Sequence, residues 1–232
     1  VTVTTQNFTS SGTWTKPSGC TKIKVTVVGG GGGGGSINSG SASTVGRWGS
    51  PGGGGAVSIK TIDVTSVSSV SVTVGAGGIG QLRANGTAGG TSSFGSYATA
   101  TGGNAGRAFY SAGTQGGVGQ PGVGGKASDG DINVDGFETQ PPFETYISSG
   151  TSTSRTARAR PMAGGGNIIF GYQEYSTTDY INKTTNGTLL PENATANTGR
   201  GGTGAYQFNN NTDTTGGNGG SGIVMVEEYY YR

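Results

Sequence analysis

The sequence predicts an all-β protein. It combines a small β-sandwich platform, built from both chain ends, with packed glycine-rich segments of polyglycine-II type and long irregular loops. Three observations lead there. Strand-like alternation of apolar and polar residues is confined to the ends of the chain. Glycine makes up 51 of 232 residues and is clustered. No long stretch carries the 3.6-residue periodicity of a helix.

The strands follow in order. Val1 to Phe8 reads as a first strand, Ser10 to Gly12 as a turn, and Thr13 to Lys16 as a second extended run that offers Trp14 to a core. Pro17 to Gly19 turns the chain again. Lys22 to Val28 alternates Ile23, Val25 and Val27 against Lys22, Lys24 and Thr26, the pattern of a half-buried strand. Ala56 to Val64 and Ser69 to Val74 alternate likewise, and Ile223 to Tyr231 closes the chain as a strand. An isolated hairpin is marginal in water, so the last strand is expected to pair with the first ones. That divides a single domain, 1–232, into a platform (1–74 and 223–232) and a display region (75–222).

The glycine clusters carry the unusual part of the fold. Gly29 to Gly35 are seven consecutive glycines directly after a strand. Gly113, Gly116, Gly119, Gly122 and Gly125 recur every third residue, as do Gly216, Gly219 and Gly222. A period of three matches an extended helix with three residues per turn and no internal hydrogen bonds. Without a Cβ such segments can approach backbone to backbone and pair their amides with each other, as buried amides must. Ordering glycine costs about 0.5–1 kcal/mol more than ordering alanine. The clusters are therefore either a mutually packed lattice or flexible linker. Collagen is excluded, because its triple helix needs a long uninterrupted Gly-x-y run. The net charge of +2 and the 11% charged fraction argue against a solvated disordered chain.

Between the clusters lie insertions rich in Ser, Thr, Asn and Gly, and these hold most of the aromatic residues. Rigid rings among small adaptable polar residues resemble a recognition surface. The candidates are Tyr97, Phe109, Tyr110, Phe143, Tyr146, Tyr172, Tyr175, Tyr180, Tyr206 and Phe208, with Arg155 and Arg158 as cations for an acidic glycan. The competing role for each ring is padding of a thin core.

Chemistry-bearing motifs are few. The run Gly75 to Gly80 satisfies G-x-G-x-x-G, but the following residues break helices and no acidic residue stands about 20 positions on, so no nucleotide site is expected. Asp129, Asp131, Asn133 and Asp135 alternate, and clustered oxygens suit Ca²⁺. An EF-type loop would place Gly and Glu where Val134 and Gln140 stand, which favours a polar strand or loop with Ile132 and Val134 pointing inward and no cofactor, with a Ca²⁺ site as the weaker alternative. With no histidine, a Ser-His-Asp arrangement is impossible. Cys20 is the only cysteine, so no intrachain disulfide can form. A glycosidase pair needs only two carboxylates, which the acidic loop residues could supply. Near-neutral charge gives no drive toward nucleic acid, and no apolar run is long enough for a membrane helix.

The opening "NFTSSGTWTKPSGCTKIKVTVVGGGGGGG", the middle "GDINVDG" and the ending "GGNGGSGIVMVEEYYY" resemble the glycine-rich domain found at the ends of bacteriophage tail fibres. In plan the chain is similar to the adhesins at the tips of T-even-like long tail fibres, where polyglycine-II helices hold variable loops against the bacterial surface. That resemblance implies a non-enzymatic receptor-binding tip on the distal tail fibre of a virion. Its partners would be a surface glycan or outer-membrane protein and other tail-fibre proteins, with the tip a homotrimer or attached to a trimeric fibre. The rival expectations are a structural virion protein, such as a head fibre or decoration protein, and a polysaccharide depolymerase.

Overall fold

A computed structural model describes residues 1–37, 46–109, 117–139, 144–148, 155–159, 164–173, 187–189, 191–208 and 213–230. The strands are β1 (Thr2–Phe8), β2 (Gly12–Thr15), β3 (Lys22–Val28), β4 (Gly46–Trp48), β5 (Val57–Asp63), β6 (Ser69–Thr73), β7 (Ser92–Phe94), β8 (Ala98–Ala100), β9 (Gly117–Val118), β10 (Ala127–Ser128), β11 (Ile132–Val134), β12 (Glu144–Ser148), β13 (Arg155–Ala159), β14 (Gly164–Asn167), β15 (Gly171–Gln173), β16 (Gly187–Leu189), β17 (Tyr206–Phe208) and β18 (Ile223–Tyr230). Among the described residues there is no helix. The protein is all-β.

Two five-stranded sheets pack face to face, in the orders β1-β18-β3-β5-β11 and β10-β8-β7-β6-β2. The alternation in β3 decides what they enclose. Ile23, Val25 and Val27 are fully buried and meet Trp14, Val72, Phe94, Val224 and Val226 in one core. The last strand does pair with the first ones: β18 lies antiparallel between β1 and β3, with Val226 opposite both Gln6 and Val25. The sandwich recruits more chain than 1–74 and 223–232. β7, β8, β10 and β11 complete its two sheets. These strands have two or three residues each and carry Ser, Ala and Asn, so no alternation marks them in the sequence. β3 also departs from simple alternation at its far end, where Thr26 and Val28 are buried on the other face. Val28 packs there with Val57 and Ile223 under Phe170.

One buried carboxylate ties the two sheets together. Glu228 on β18 accepts hydrogen bonds from Trp14 Nε1 (2.9 Å), Thr4 Oγ1 (2.7 Å) and Tyr230 OH (3.1 Å). It is 5% exposed, and a buried charge is tolerable only when its oxygens are satisfied.

Gly29 to Gly35 leave β3 and run through the middle of a lattice of extended segments. Their amides donate in a three-way rotation. Gly29, Gly32 and Gly35 donate to Ala56, Gly53 and Ser50; Gly30 and Gly33 to Gly90 and Thr87; Gly31 and Gly34 to Gly220 and Gly217. Acceptor numbers fall by three as donor numbers rise by three, so those three neighbours run antiparallel. Three further neighbours run parallel. Gly103 and Gly106 donate to Gly30 and Gly33, Gly202 and Ala205 to Gly32 and Gly35, and Gly78 to Gly31. The central run thus has six neighbours and the three-residue repeat of polyglycine II.

Six neighbours leave no room for a side chain. A Cβ on Gly32 would fall on the Asn104 carbonyl, on Gly33 on that of Ile79, and on Gly34 on that of Thr203. Outer segments meet fewer neighbours and need fewer glycines. Gly119, Gly122 and Gly125 donate to Trp48, Pro51 and Gly54, while Val123 between them is 42% exposed. Gly113 and Gly116 of the same repeat lie outside the described residues. The clusters from 29 to 222 that the structure describes are lattice, and the linker alternative falls for them.

Two outcomes follow. Gly33→Ala should destabilise by about 3 kcal/mol or more, the upper end of overpacking, and Gly119→Ala by about 1–3 kcal/mol. Gly12→Ala, whose Cβ would make ordinary contacts with Phe8 at 3.9 Å, should stay within about 0.5 kcal/mol of the parent; chemical denaturation ranks the three. Trp14→Phe removes one donor from the buried Glu228 carboxylate and should lower stability by about 1–3 kcal/mol, whereas an unchanged midpoint would show that the inter-sheet bond contributes nothing.

Candidate recognition surface

The lattice has two ends with different tasks. At one end its segments are continuous with sandwich strands: β3 runs into 29–37, 49–56 into β5, 84–90 into β7, β8 into 101–109, 119–125 into β10 and 216–222 into β18. At the other end a four-stranded sheet, in the order β16-β17-β4-β9, caps the segments. Tyr206 stands opposite Trp48, and Arg47 opposite Gly117 across the parallel pair β4–β9. Ile37, the last described residue of the central run, bridges both Phe109 and Thr214.

That cap gathers the departures of the long insertions. The chain leaves at Ile37 and returns at β4, leaves at Phe109 and returns at β9, and leaves at β17 and returns at Asp213. β14 runs antiparallel to 199–201, since Gly165 accepts from Gly201 while Asn167 reaches Thr198. Its residue Gly164 therefore faces the capped end, and so does its partner Gln173 on β15. The described residues that flank the intervals 38–45, 110–116, 174–186 and 209–212, and Gly164 after 140–163, thus stand at the end away from the sandwich. Within 140–163, β12 pairs with β13 as a separate two-stranded ribbon.

The cap is firm. Trp48 and Tyr206 stack with ring centroids 5.0 Å apart, and Ile37, Arg47, Trp48 and Tyr206 are each at most 3% exposed. Sequence reasoning missed Ile37, Arg47 and Trp48, which lie within a Ser/Gly-rich insertion. The available signal was Trp48 sitting three residues before Pro51 in the register that the lattice repeats.

The aromatic candidates divide. Tyr97 belongs to the sandwich: it packs on the core beside Phe94, 6.4 Å between ring centroids, at the wrong end for the insertions. Tyr206 is buried by Trp48, so its ring builds the cap rather than being displayed. These two placements replace the exposed roles expected for them, because each ring supplies area that a thin core lacks. Phe109 is half-buried, and its amide donates to the Ser36 carbonyl. Tyr172 is 47% exposed and rests against Phe137 at 5.2 Å. Phe208 pairs with Gly46 and Gly187 in the cap sheet. On the β12–β13 ribbon Tyr146 stands opposite Ala157, Arg158 opposite Thr145 and Arg155 opposite Ser148. Tyr110, Phe143, Tyr175 and Tyr180 lie outside the described residues.

The four oxygen-bearing residues of "DGDINVDG" are engaged with the protein itself. Asp131 accepts from the Thr61 amide at 2.8 Å and lies 3.6 Å from Lys60 Nζ. Asn133 Oδ1 accepts from Ser58 Oγ and the Gly130 amide. Asp129 takes the left-handed conformation, φ 66°, and accepts from Ser128 Oγ. Asp135 pairs with Lys126 Nζ at 2.7 Å. Asp131 and Asn133 fasten β11 to β5, Asp129 sits in the turn before it, and Asp135 ties the end of β11 to the start of β10. Among the described residues no three acidic, histidine or cysteine side chains are grouped for a metal ion.

The Lys126 hydrogen bond holds the Asp135 carboxyl below the usual aspartate range, and the same bond raises the Lys126 ammonium.

Fold and surface together define an all-β protein in which a glycine lattice carries a capped, loop-bearing end on a sandwich base. The model of the glycine-rich domain family matches residues 4–229, and the chain belongs to that family. Curated proteins gave no match to it.

A carboxyl whose folded pKa is depressed contributes stability above its unfolded pKa, and that contribution fades as pH falls through the folded value. In a carboxyl-carbon NMR titration Asp135 should therefore have its midpoint below that of an ordinary aspartate. Lys126→Ala should move the midpoint back up. An unshifted midpoint in the parent protein would dissolve the pair.

Proposed function

We propose that this chain is a non-enzymatic receptor-binding tip of a bacteriophage tail fibre, which holds a bacterial surface glycan or outer-membrane protein through its insertions. The observation that carries this reading is the convergence of the insertion departures on one capped end of a rigid lattice, opposite the sandwich. Binding residues concentrate on loops positioned by a rigid scaffold. Those intervals also hold Tyr110, Phe143, Tyr175 and Tyr180 among Ser, Thr and Asn, a composition suited to adaptable recognition.

Affinity at one site can be modest in such a device. Several copies on one virion raise it through effective concentration. The tip would sit at the distal end of the fibre, joined to other tail-fibre proteins on its sandwich side.

Pre-incubating a panel of bacterial strains with the purified protein should block phage adsorption to the strains it binds. The labelled protein should bind those cells saturably. Loss of binding after enzymatic stripping of surface glycan would assign a glycan receptor, and survival would assign a surface protein. A folded sample that binds no strain and blocks no adsorption would favour a structural virion role. Release of reducing sugar from host polysaccharide would overturn the non-enzymatic reading.

A further inference from the structure

The sandwich has four edges, and three are protected by brevity. β2 has four residues, β11 three and β10 two. The fourth edge, β1, is seven residues long and follows β18 in unbroken register from Thr2–Tyr230 to Phe8–Val224. Among the described residues it has no neighbour on its other side in the sheet order. Among the described residues its backbone makes no hydrogen bond outside the pairing with β18.

Long edge strands are usually blunted by lysine, proline, a bulge or a covering loop, because a free row of amides and carbonyls templates further pairing. β1 has no lysine, proline or bulge, and no described residue covers it. Its sequence, TVTTQNF, is uncharged, and Thr2 to Asn7 are all exposed. Val3 is 48% exposed.

We infer that β1 is the self-pairing edge of the protein, which joins antiparallel to β1 of a second copy across a two-fold axis at Thr5. A two-fold interface uses the same patch on both partners, so the patch must complement itself. About Thr5, Val3 meets Asn7 of the second copy, Thr4 meets its Gln6, and Thr5 meets its Thr5. No like charges oppose each other in any of these pairs. Threonine pairs across strands are favourable. The two outer sheets then become one ten-stranded sheet, with the lattices extending from it. The inference concerns the base of the molecule and not the capped end, and its two-copy assembly stands in place of the three-copy one that the tail-fibre resemblance implies.

Thr5 is exposed and stands opposite Glu227 on β18, so a basic residue there is accommodated within the fold but places like charges against each other at the axis. Light scattering coupled to size exclusion should find the parent protein dimeric, with T5K and T5R each monomeric and equally well folded by circular dichroism. Amide hydrogen exchange in β1 should be slow at nearly every residue in the dimer and at alternate residues in T5K. A parent protein that stays monomeric at all concentrations overturns the inference. So does a dimer that T5K leaves intact, or a three-copy assembly of the kind expected from the tail-fibre resemblance.

Discussion

The structure depends on one constraint: the buried amides of Gly29 to Gly35 have no water and no side chain to bond, so other backbones must surround them. An unsatisfied buried amide costs about 1–3 kcal/mol, and seven in succession would unfold the segment. The solution is rotational. Each successive amide turns by a third of a circle and meets a different segment, so three antiparallel acceptors serve the whole run. Glycine is then the consequence, since any Cβ would occupy the space of a neighbour's carbonyl.

Such a lattice cannot organise itself. Glycine is the residue with most conformational freedom to lose, and a backbone surface offers little apolar area to drive collapse. The sandwich supplies both direction and register. Strands β3, β5, β7, β8, β10 and β18 are pinned by the core around Trp14, Val25, Phe94 and Val226. Six lattice segments are extensions of those strands, so fixing the strands fixes where each segment begins and which way it runs. Small residues appear where the two systems join: Ser92, fully buried, accepts from the Gly75 amide through its hydroxyl. The inter-sheet bond from Trp14 to Glu228 locks the base from which the segments extend.

How much of this was legible follows from the same physics. β3, β6 and β18 alternate strongly because one face is buried by valine and isoleucine, and the sequence pattern identifies them. The lattice repeat shows as period three at Gly119, Gly122 and Gly125, whose amides donate in turn to Trp48, Pro51 and Gly54. What could not be read is the neighbour count. Gly29 to Gly35 have glycine at every position because six segments surround them, but a sequence does not say which six. The two- and three-residue strands β7, β8, β10 and β11 were invisible, since such lengths carry no periodicity. The candidate surface was half legible. The insertions were evident from composition, yet their convergence on one end depends on segment direction, which only the pairing reveals. Tyr206 and Trp48 illustrate the limit: both lie beside loop-like sequence, and both are buried in the cap.

Separating lattice from insertions also explains why this architecture suits a variable surface. Stability in the lattice resides in backbone bonds and in glycines that face inward, while Ile79 and Val123 point outward and contribute little packing. Insertions begin and end at the cap, where each adjoining segment is already held by neighbours on several sides. The entropic cost of lengthening a flexible loop grows only logarithmically, about 0.6 kcal/mol per doubling. Loops of very different length can therefore be exchanged at the capped end without disturbing a single lattice hydrogen bond. A conventional globular core couples its loops to side-chain packing beneath them, and large changes there propagate as strain. Here the layer beneath is backbone, whose geometry is the same whatever the loop above it contains. Under the proposed function, that independence is what lets one scaffold present many different surfaces.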